Sequence, residues 1–185
     1  MPPKSVVSKE KILQAAFTIT KRHGFDAVNA RSVAKELGCS THPIFREYEN
    51  MQDLKKDLLQ YVESYYNQFV EKRMSGEAPF LSIGLAYIEF AKSESNLFRM
   101  IFMSHNFELH DFVELIDGEE NKAVILGIAR AANVDEEKAK DLYLKVWLFT
   151  HGIASMLSTN TIHLSDEHIE KLLKDAFQAF LKLGD

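Results

Sequence analysis

The residues best suited to chemistry stand in one stretch of the N-terminal third, whose sequence over residues 30–48 is ARSVAKELGCSTHPIFREY. Arg46 can donate a bidentate pair of hydrogen bonds to guanine or bind a phosphate. Arg31 stands at the predicted start of a short helix, where backbone N–H groups and a cation suit a phosphate. These groups predict a surface that contacts a polyanion, formed by Asn29, Ala30, Arg31, Ser40, Thr41, His42, Arg46, Tyr48 and Lys55.

Tyr48 and Ser40 each have two roles open to them in this stretch. Tyr48 stands at the end of a predicted helix, where an aromatic side chain either contacts a phosphate or joins the core. Ser40 is predicted to cap the same helix and also to donate to a phosphate. Lys4 and Lys9 can reach a nucleic-acid backbone, although terminal lysines are more often merely solvated.

Positioning these side chains requires two short helices that cross closely. Ala34 is small enough for such a crossing, and Gly38 can adopt φ > 0 at the end of the first helix. Ile44 and Phe45 are predicted to bury the second helix against the apolar stripe of the preceding one. The pattern favours a helix-turn-helix, in which the second helix presents its first residues to base edges in the major groove, over an ordinary αα-corner.

Helical spacing extends along the whole chain and predicts an all-α fold of about nine helices. The predicted N-caps are Ser8, Asn29, Ser40, Asn50, Ser95, Asp135 and Ser165, and the predicted C-cap of the first helix is Gly24. A long fourth helix is predicted to run towards Met74, and Pro43 is predicted to delay the start of the third. Later helices are predicted at about residues 79–93, 96–104, 119–132, 136–158 and 166–183, with residues 105–118 ambiguous.

Composition limits the class of protein. The chain has 185 residues, of which 46% are hydrophobic and 26% charged, which excludes collagen-like, low-complexity and disordered chains. No apolar run approaches the ~18 residues of a membrane helix, and the first residues, MPPKSVVSKEK, carry no apolar leader. The single cysteine, Cys39, excludes an internal disulfide and fits a reducing compartment. We therefore expect a soluble cytoplasmic protein.

Charge is distributed unevenly along the chain. The net charge is −5, whereas residues 1–60 carry ten Lys or Arg and seven Asp or Glu. The basic excess of this part is small, but its sign indicates that only the N-terminal end meets a polyanion.

The same N-terminal region resembles the DNA-binding domain of the TetR family of bacterial repressors. The matching segments, which together cover about residues 6–66, are KILQAAFTITKRHGFDAV, ARSVAKELGCS, PIFREYEN and MQDL. The family usually has Tyr where Phe45 stands and often Gly-Thr where His42 and Pro43 stand, a departure that bears on the operator sequence rather than on the fold. The resemblance implies a three-helix helix-turn-helix domain over residues 1–50, joined by a long helix to a helical ligand-binding and dimerisation domain over residues 51–185.

The last two predicted helices carry more apolar surface than a single contact face needs. The helix at residues 136–158 is apolar almost all round, and the helix at residues 166–183 has one wide apolar face. The resemblance implies that these two helices of each chain form a four-helix homodimer interface. The alternative is a helix wholly buried in its own monomer.

Thirteen Phe and six Met are numerous for a chain of this length. Such stripes are usually core, but Met and aromatic walls also line adaptable apolar pockets. The resemblance implies a cavity for a small apolar effector, and its predicted wall residues are Tyr87, Met103, Trp147 and His151. Binding would favour a state whose two helix-turn-helix domains no longer match the operator spacing.

Enzyme and metal chemistry find little support in the sequence. The chain has no GxSxG elbow, P-loop, GxGxxG or HExxH motif, so no catalytic residue or cofactor is predicted. His110 and Glu114 have i,i+4 spacing beside His105 and Asp111, but a solvated cluster is preferred to a metal site. The leading hypothesis is a ligand-responsive repressor that binds a palindromic DNA operator. The alternatives are a constitutive regulator whose second domain only dimerises, and a helical protein–protein adaptor.

Overall fold

The computed structural model describes residues 7–75, 79–104, 116 and 118–183. These residues form nine α-helices, one turn of 3-10 helix at Phe25–Ala27 and no strand, which confirms the all-α prediction. The helices are α1 Lys9–His23, α2 Ala30–Glu36, α3 His42–Glu47, α4 Met51–Glu71, α5 Pro79–Ser93, α6 Ser95–Phe102, α7 Glu119–Ala132, α8 Glu136–Ser158 and α9 Asp166–Lys182.

Contacts between residues divide the chain into two compact units. The first unit comprises Met1–Asn67 and Glu94–Asn106, and the second comprises Gln68–Ser93 and Phe107–Asp185. Helix α6 therefore belongs to the first unit, although α5 of the second unit precedes it in the sequence.

The first unit is built on the buried face of α1. The N–H of Lys11 donates to Ser8 Oγ over 3.4 Å, and Gly24 ends the helix with φ +86°, which confirms both predicted caps. Helix α1 packs against α2, α3 and α6. The fully buried side chains that hold the unit together are Ile12, Val33, Ile44, Leu54, Leu58, Leu97 and Phe98.

A charged group joins α6 to α1 and α4 inside the first unit. The buried carboxylate of Glu94 accepts a hydrogen bond from Lys21 Nζ at 2.6 Å and another from the Tyr65 hydroxyl at 3.0 Å. The side-chain amide of Asn96 donates to the Lys21 carbonyl over 2.9 Å. Because the carboxylate stabilises the ammonium, it raises the pKa of Lys21 above its ordinary value.

Helices α2 and α3 form the helix-turn-helix. Gly38 adopts φ +64°, and the following N–H, that of Cys39, closes α2 by donating to the Ala34 carbonyl over 3.0 Å. Helix α3 begins at His42 with Thr41 as its N-cap, so the prediction that Ser40 caps it is wrong.

The later start of α3 has a local cause. The Thr41 carbonyl, rather than a side-chain oxygen, accepts the N–H groups of Ile44 and Phe45. Pro43 lacks an N–H and occupies the first turn, where helical donors have no partner within the helix.

The second unit packs α5, α7 and α9 against the long helix α8. Asp135 and Ser165 cap α8 and α9 as predicted, each accepting a backbone N–H on its side-chain oxygen. A Cβ built on Gly84 would stand 3.3 Å from Leu173 Cδ1 and 3.9 Å from Thr150 Cγ2. The close approach of α5 to α8 and α9 therefore depends on the missing side chain at this position.

Two predicted helix boundaries are wrong. Helix α4 ends at Glu71 rather than near Met74. Helix α6 begins at Ser95 itself, and the N-cap is Glu94, without a side-chain bond to the helix. The carboxylate of Glu94 is directed at Lys21 and Tyr65 instead, a contact between distant residues that outweighs the local capping preference for Ser95.

Candidate nucleic-acid interface

The start of α2 is fixed by a reciprocal cap. Asn29 Oδ1 accepts the N–H groups of Arg31 and Ser32 at 3.1 and 3.0 Å, and the Asn29 N–H donates to Ser32 Oγ at 3.0 Å. The cap thus uses two N–H groups that the sequence assigned to phosphate. What the helix start offers to an anion is the exposed side chain of Arg31 beside the half-buried Ala30.

Helix α3 presents polar side chains on its exposed side. Ser40, His42 and Arg46 are exposed and Thr41 is half-buried, while Ile44 is fully buried and fixes which side of the helix faces inward. These four polar residues therefore share the surface that the sequence assigned to DNA. Hydroxyl, imidazole and guanidinium groups can all donate hydrogen bonds to phosphate oxygens or base edges.

Tyr48 belongs to the core of the first unit. Its side chain is 3% exposed, and its buried hydroxyl has no hydrogen-bond partner among the described residues. Burial, reinforced by the charge of Asp57, raises the pKa of the phenol far above its ordinary range. Of the two roles that the sequence left open for Tyr48, its burial favours the core.

Lys9 and Lys55 of the first unit, like Lys21, each lie over an aromatic ring. Lys9 Nζ lies 4.8 Å from the centre of the Tyr48 ring and 2.7 Å from Asp57 Oδ2, so this lysine already has partners within the protein. Lys55 Nζ lies 4.8 Å from the centre of the Phe25 ring, at the start of α4. A cation held over a ring keeps its charge and leaves its N–H groups open to a further acceptor.

Phe45 is a surface residue that the sequence reasoning placed in the core. Its side chain is 49% exposed, so the prediction that it buries α3 is wrong. Adjacent helical residues point about 100° apart, and Ile44 takes the inward direction. The signal that could have revealed this is the resemblance itself, because the family usually has a tyrosine, which carries a polar hydroxyl, at this position.

Three of the four predicted effector-wall residues meet in the second unit. The Tyr87 hydroxyl lies 2.8 Å from His151 Nδ1, and the Trp147 ring stacks on the imidazole with 5.1 Å between centres. The other ring nitrogen, Nε2, lies 3.2 Å from Ser155 Oγ. Burial lowers the pKa of His151 below its ordinary value. The fourth residue, Met103, ends α6 in the first unit and is exposed.

A cavity of about 150 Å³ lies between α7 and the start of α8. It is lined by Ile116, Lys122, Ile125, Leu126, Glu136 and Lys140, so none of the predicted effector-wall residues borders it. Its volume is below the roughly 300–1,000 Å³ of typical small-molecule sites.

The exposed side of α8 is apolar at two positions about two helical turns apart. Leu148 and Met156 are 50% and 42% exposed, and Gly152, which stands midway between them, has open space where a Cβ would be. The spacing of four residues places all three on one face of the helix. This set, Leu148, Gly152 and Met156, is called the α8 apolar face below.

The described residues hold neither a membrane-spanning helix nor a group of metal ligands. No helix there is long and apolar enough to cross a bilayer, and no three His, Cys, Asp or Glu side chains gather as metal ligands. The cluster formed by His105, His110, Asp111 and Glu114 lies outside the described residues.

Comparison with known proteins gives one match. The model of the tetracyclin repressor-like C-terminal domain matches residues 80–180, more than half of the chain. No curated protein matches the sequence. The matched region holds α5 to α9, and the helix-turn-helix with its polar surface precedes it. The chain belongs to the TetR family of transcriptional regulators.

Proposed function

We propose that this regulator binds a palindromic DNA operator as a homodimer and acts as a repressor that a small apolar effector releases. The observation that carries DNA binding is the polar surface of the helix-turn-helix, where Arg31, His42 and Arg46 are exposed together with Ser40. One helix reads only a few base pairs, so two copies bound to half-sites one helical turn apart multiply the specificity.

The α8 apolar face supports the proposed homodimer. Large apolar side chains exposed at i and i+8, with a glycine between them, allow two helices to approach closely and bury Leu148 and Met156. The exposed Ala179 of α9 can extend this contact. Such a pairing is isologous, since the same face serves both copies.

The cluster of Tyr87, Trp147 and His151 supports an effector site in the second unit. Two aromatic rings and an imidazole combine apolar area with a polar group that can orient a ligand. A ligand that inserts between these rings has to separate the Trp147 ring from the imidazole. Because both residues lie on α8, this changes their side-chain rotamers and breaks the contact between His151 and Tyr87 of α5.

The same cluster also favours a second candidate, a regulator without an effector. Both ring nitrogens of His151 already have hydrogen-bond partners, Tyr87 and Ser155. A satisfied imidazole needs no ligand, and the second unit then serves only to dimerise. Thermal unfolding of the protein with a panel of apolar metabolites distinguishes the two, since only a protein with an effector site gains stability from a member of the panel.

The DNA-binding proposal is tested by measuring affinity for genomic fragments and for random duplex across salt concentration. We expect at least one fragment to bind with about 10³-fold preference over random DNA. Arg31→Ala should weaken operator and random DNA alike and reduce the salt slope by about one per protomer. Lys171→Ala, on the exposed side of α9, is the matched control because it removes a cation far along the chain. Equal affinity of the wild-type protein for all fragments would contradict the proposal.

A further inference from the structure

The guanidinium of Arg46 already has three contacts within the protein. Its Nε donates to Glu47 Oε1 at 3.0 Å, and an Nη2 atom lies 3.0 Å from the same oxygen. The same Nη2 donates to the backbone carbonyl of Val7 over 3.2 Å. A base that takes a bidentate pair from Nε and Nη2 must therefore replace a carboxylate and a carbonyl rather than water, while Nη1 has no partner among the described residues.

We propose that Glu47 is a specificity-determining residue. It weakens the binding of Arg46 to a phosphate that accepts one hydrogen bond, and it is displaced by a base that accepts two. This inference rests on the proposed DNA binding. Guanine presents O6 and N7 side by side and can replace both protein acceptors with a bidentate pair. A phosphate oxygen that accepts one hydrogen bond from Arg46 leaves other N–H groups bonded to Glu47 and Val7. Such a contact therefore adds little binding free energy.

Because the ion pair between Arg46 and Glu47 is exposed, another acceptor can displace Glu47 from the guanidinium. The Arg46 side chain is 51% exposed and that of Glu47 is 30% exposed. Ion pairs of this kind contribute little to stability, because both charges stay hydrated and screened. A base that offers two acceptors can therefore displace Glu47 at little cost. While Glu47 stays in place, its charge offsets part of the attraction between Arg46 and a phosphate.

The negative charge of Glu47 acts in the same direction. The half-buried carboxylate of Glu47 adds negative charge to the helix that approaches the polyanion, and its repulsion applies to any sequence. At a matched site the base contacts offset this repulsion. On random DNA nothing offsets it, so the expected result is weaker non-specific binding and a larger ratio of operator to random affinity.

The test compares Glu47→Gln with wild-type protein, using the full chain, an operator fragment and random duplex in a fluorescence anisotropy titration. We expect random-duplex affinity to rise about three- to tenfold, since an exposed pair no longer competes and one negative charge is lost. The salt slope on random duplex should steepen by about one per protomer, because Arg46 then neutralises a phosphate. Operator affinity should rise less, so the specificity ratio should fall.

Glu49→Gln is the matched control, because it removes the same charge two residues later at an exposed position without an ion pair to Arg46. Its effect on random-duplex affinity should be smaller than that of Glu47→Gln and should leave the salt slope unchanged. The decisive comparison repeats Glu47→Gln in an Arg46→Gln background, where the substitution should then act no more strongly than Glu49→Gln.

Three results would overturn the proposal: an unchanged specificity ratio in Glu47→Gln, equal effects of Glu47→Gln and Glu49→Gln, or the same Glu47→Gln effect with and without Arg46. Glu47→Ala repeats the measurement should the first variant unfold, and thermal unfolding checks every variant. Failure of the proposed function is distinct, since wild-type protein would then prefer no fragment over random duplex.

Discussion

Helices α3 and α8 expose different chemistry to water. Helix α3 has six residues and exposes His42 and Arg46 beside one apolar ring, Phe45, whereas α8 has 23 residues and exposes Leu148 and Met156. A helix as short as α3 has no stability of its own, so one buried side chain, Ile44, decides which residues it presents. Helix α8 buries enough side chains to stay folded although Leu148 and Met156 are exposed to water. A polar surface on a short, tertiary-supported helix suits an anionic partner, and an apolar one on a long helix suits a second copy.

Ile44→Ala is the change that should most strongly break this contrast. It deletes a fully buried side chain between α3 and α1, and such truncations cost about 2–5 kcal/mol. We expect hydrogen exchange to accelerate in the first unit and stay near wild type in α8. Phe45→Ala, which removes an exposed ring, is the control and should cost below about 0.5 kcal/mol. Equal destabilisation by both would mean that α3 does not depend on Ile44.

Leu148→Glu sharpens the other half of the comparison. A carboxylate at one end of the paired α8 apolar face would be buried without a partner, so the dimer dissociation constant should rise by at least about tenfold. Sedimentation equilibrium measures this change. Lys145→Gln, one turn earlier at a half-buried position, is the control: it also lowers the net charge by one unit, and it removes the ion pair with Asp141. A wild-type protein that sediments as a monomer would contradict the proposed dimer.

The smallest expected effect is a pH dependence confined to the second unit. Burial lowers the pKa of His151 below 6.5, so the unfolded state takes up its proton first as the pH falls. The stability that the neutral imidazole contributes is fully present above 6.5 and is lost as the pH falls from there towards the lower folded pKa. Thermal unfolding between pH 7.5 and 5 should show this loss in wild type and a smaller one in His151→Gln. Identical curves would mean that His151 does not titrate differently in the two states.

Features that depend on neighbouring residues could be predicted from the sequence. Ser8, Asn29, Asp135 and Ser165 cap their helices as expected, because a cap needs only a side-chain oxygen and N–H groups two or three residues away. The left-handed turn at Gly38 follows in the same way, because only its own backbone is involved.

Features set by distant residues could not be predicted. The N-cap of α6 is Glu94, whose carboxylate bonds to Lys21, 73 positions earlier, and no local pattern encodes this pair. The sequence predicts Phe45 in the core because apolar residues are usually buried. In the structure Ile44 alone occupies the inward side of α3. The contact between Arg46 and Val7 likewise depends on how α3 packs, so the sequence indicated the guanidinium but not what holds it.

Because α6 belongs to the first unit, a fragment designed to carry the proposed DNA-binding surface needs more than helices α1 to α4. A recombinant fragment that stops after α4 would lack Leu97 and Phe98, both fully buried, and would leave the ammonium of Lys21 without its carboxylate. The apolar surface of α1 that α6 covers would then be exposed to water, which favours aggregation. Such a fragment must therefore include residues 94–106, joined to the end of α4 by a linker. These residues belong to the same compact unit as residues 1–67, although α5 separates them in the sequence.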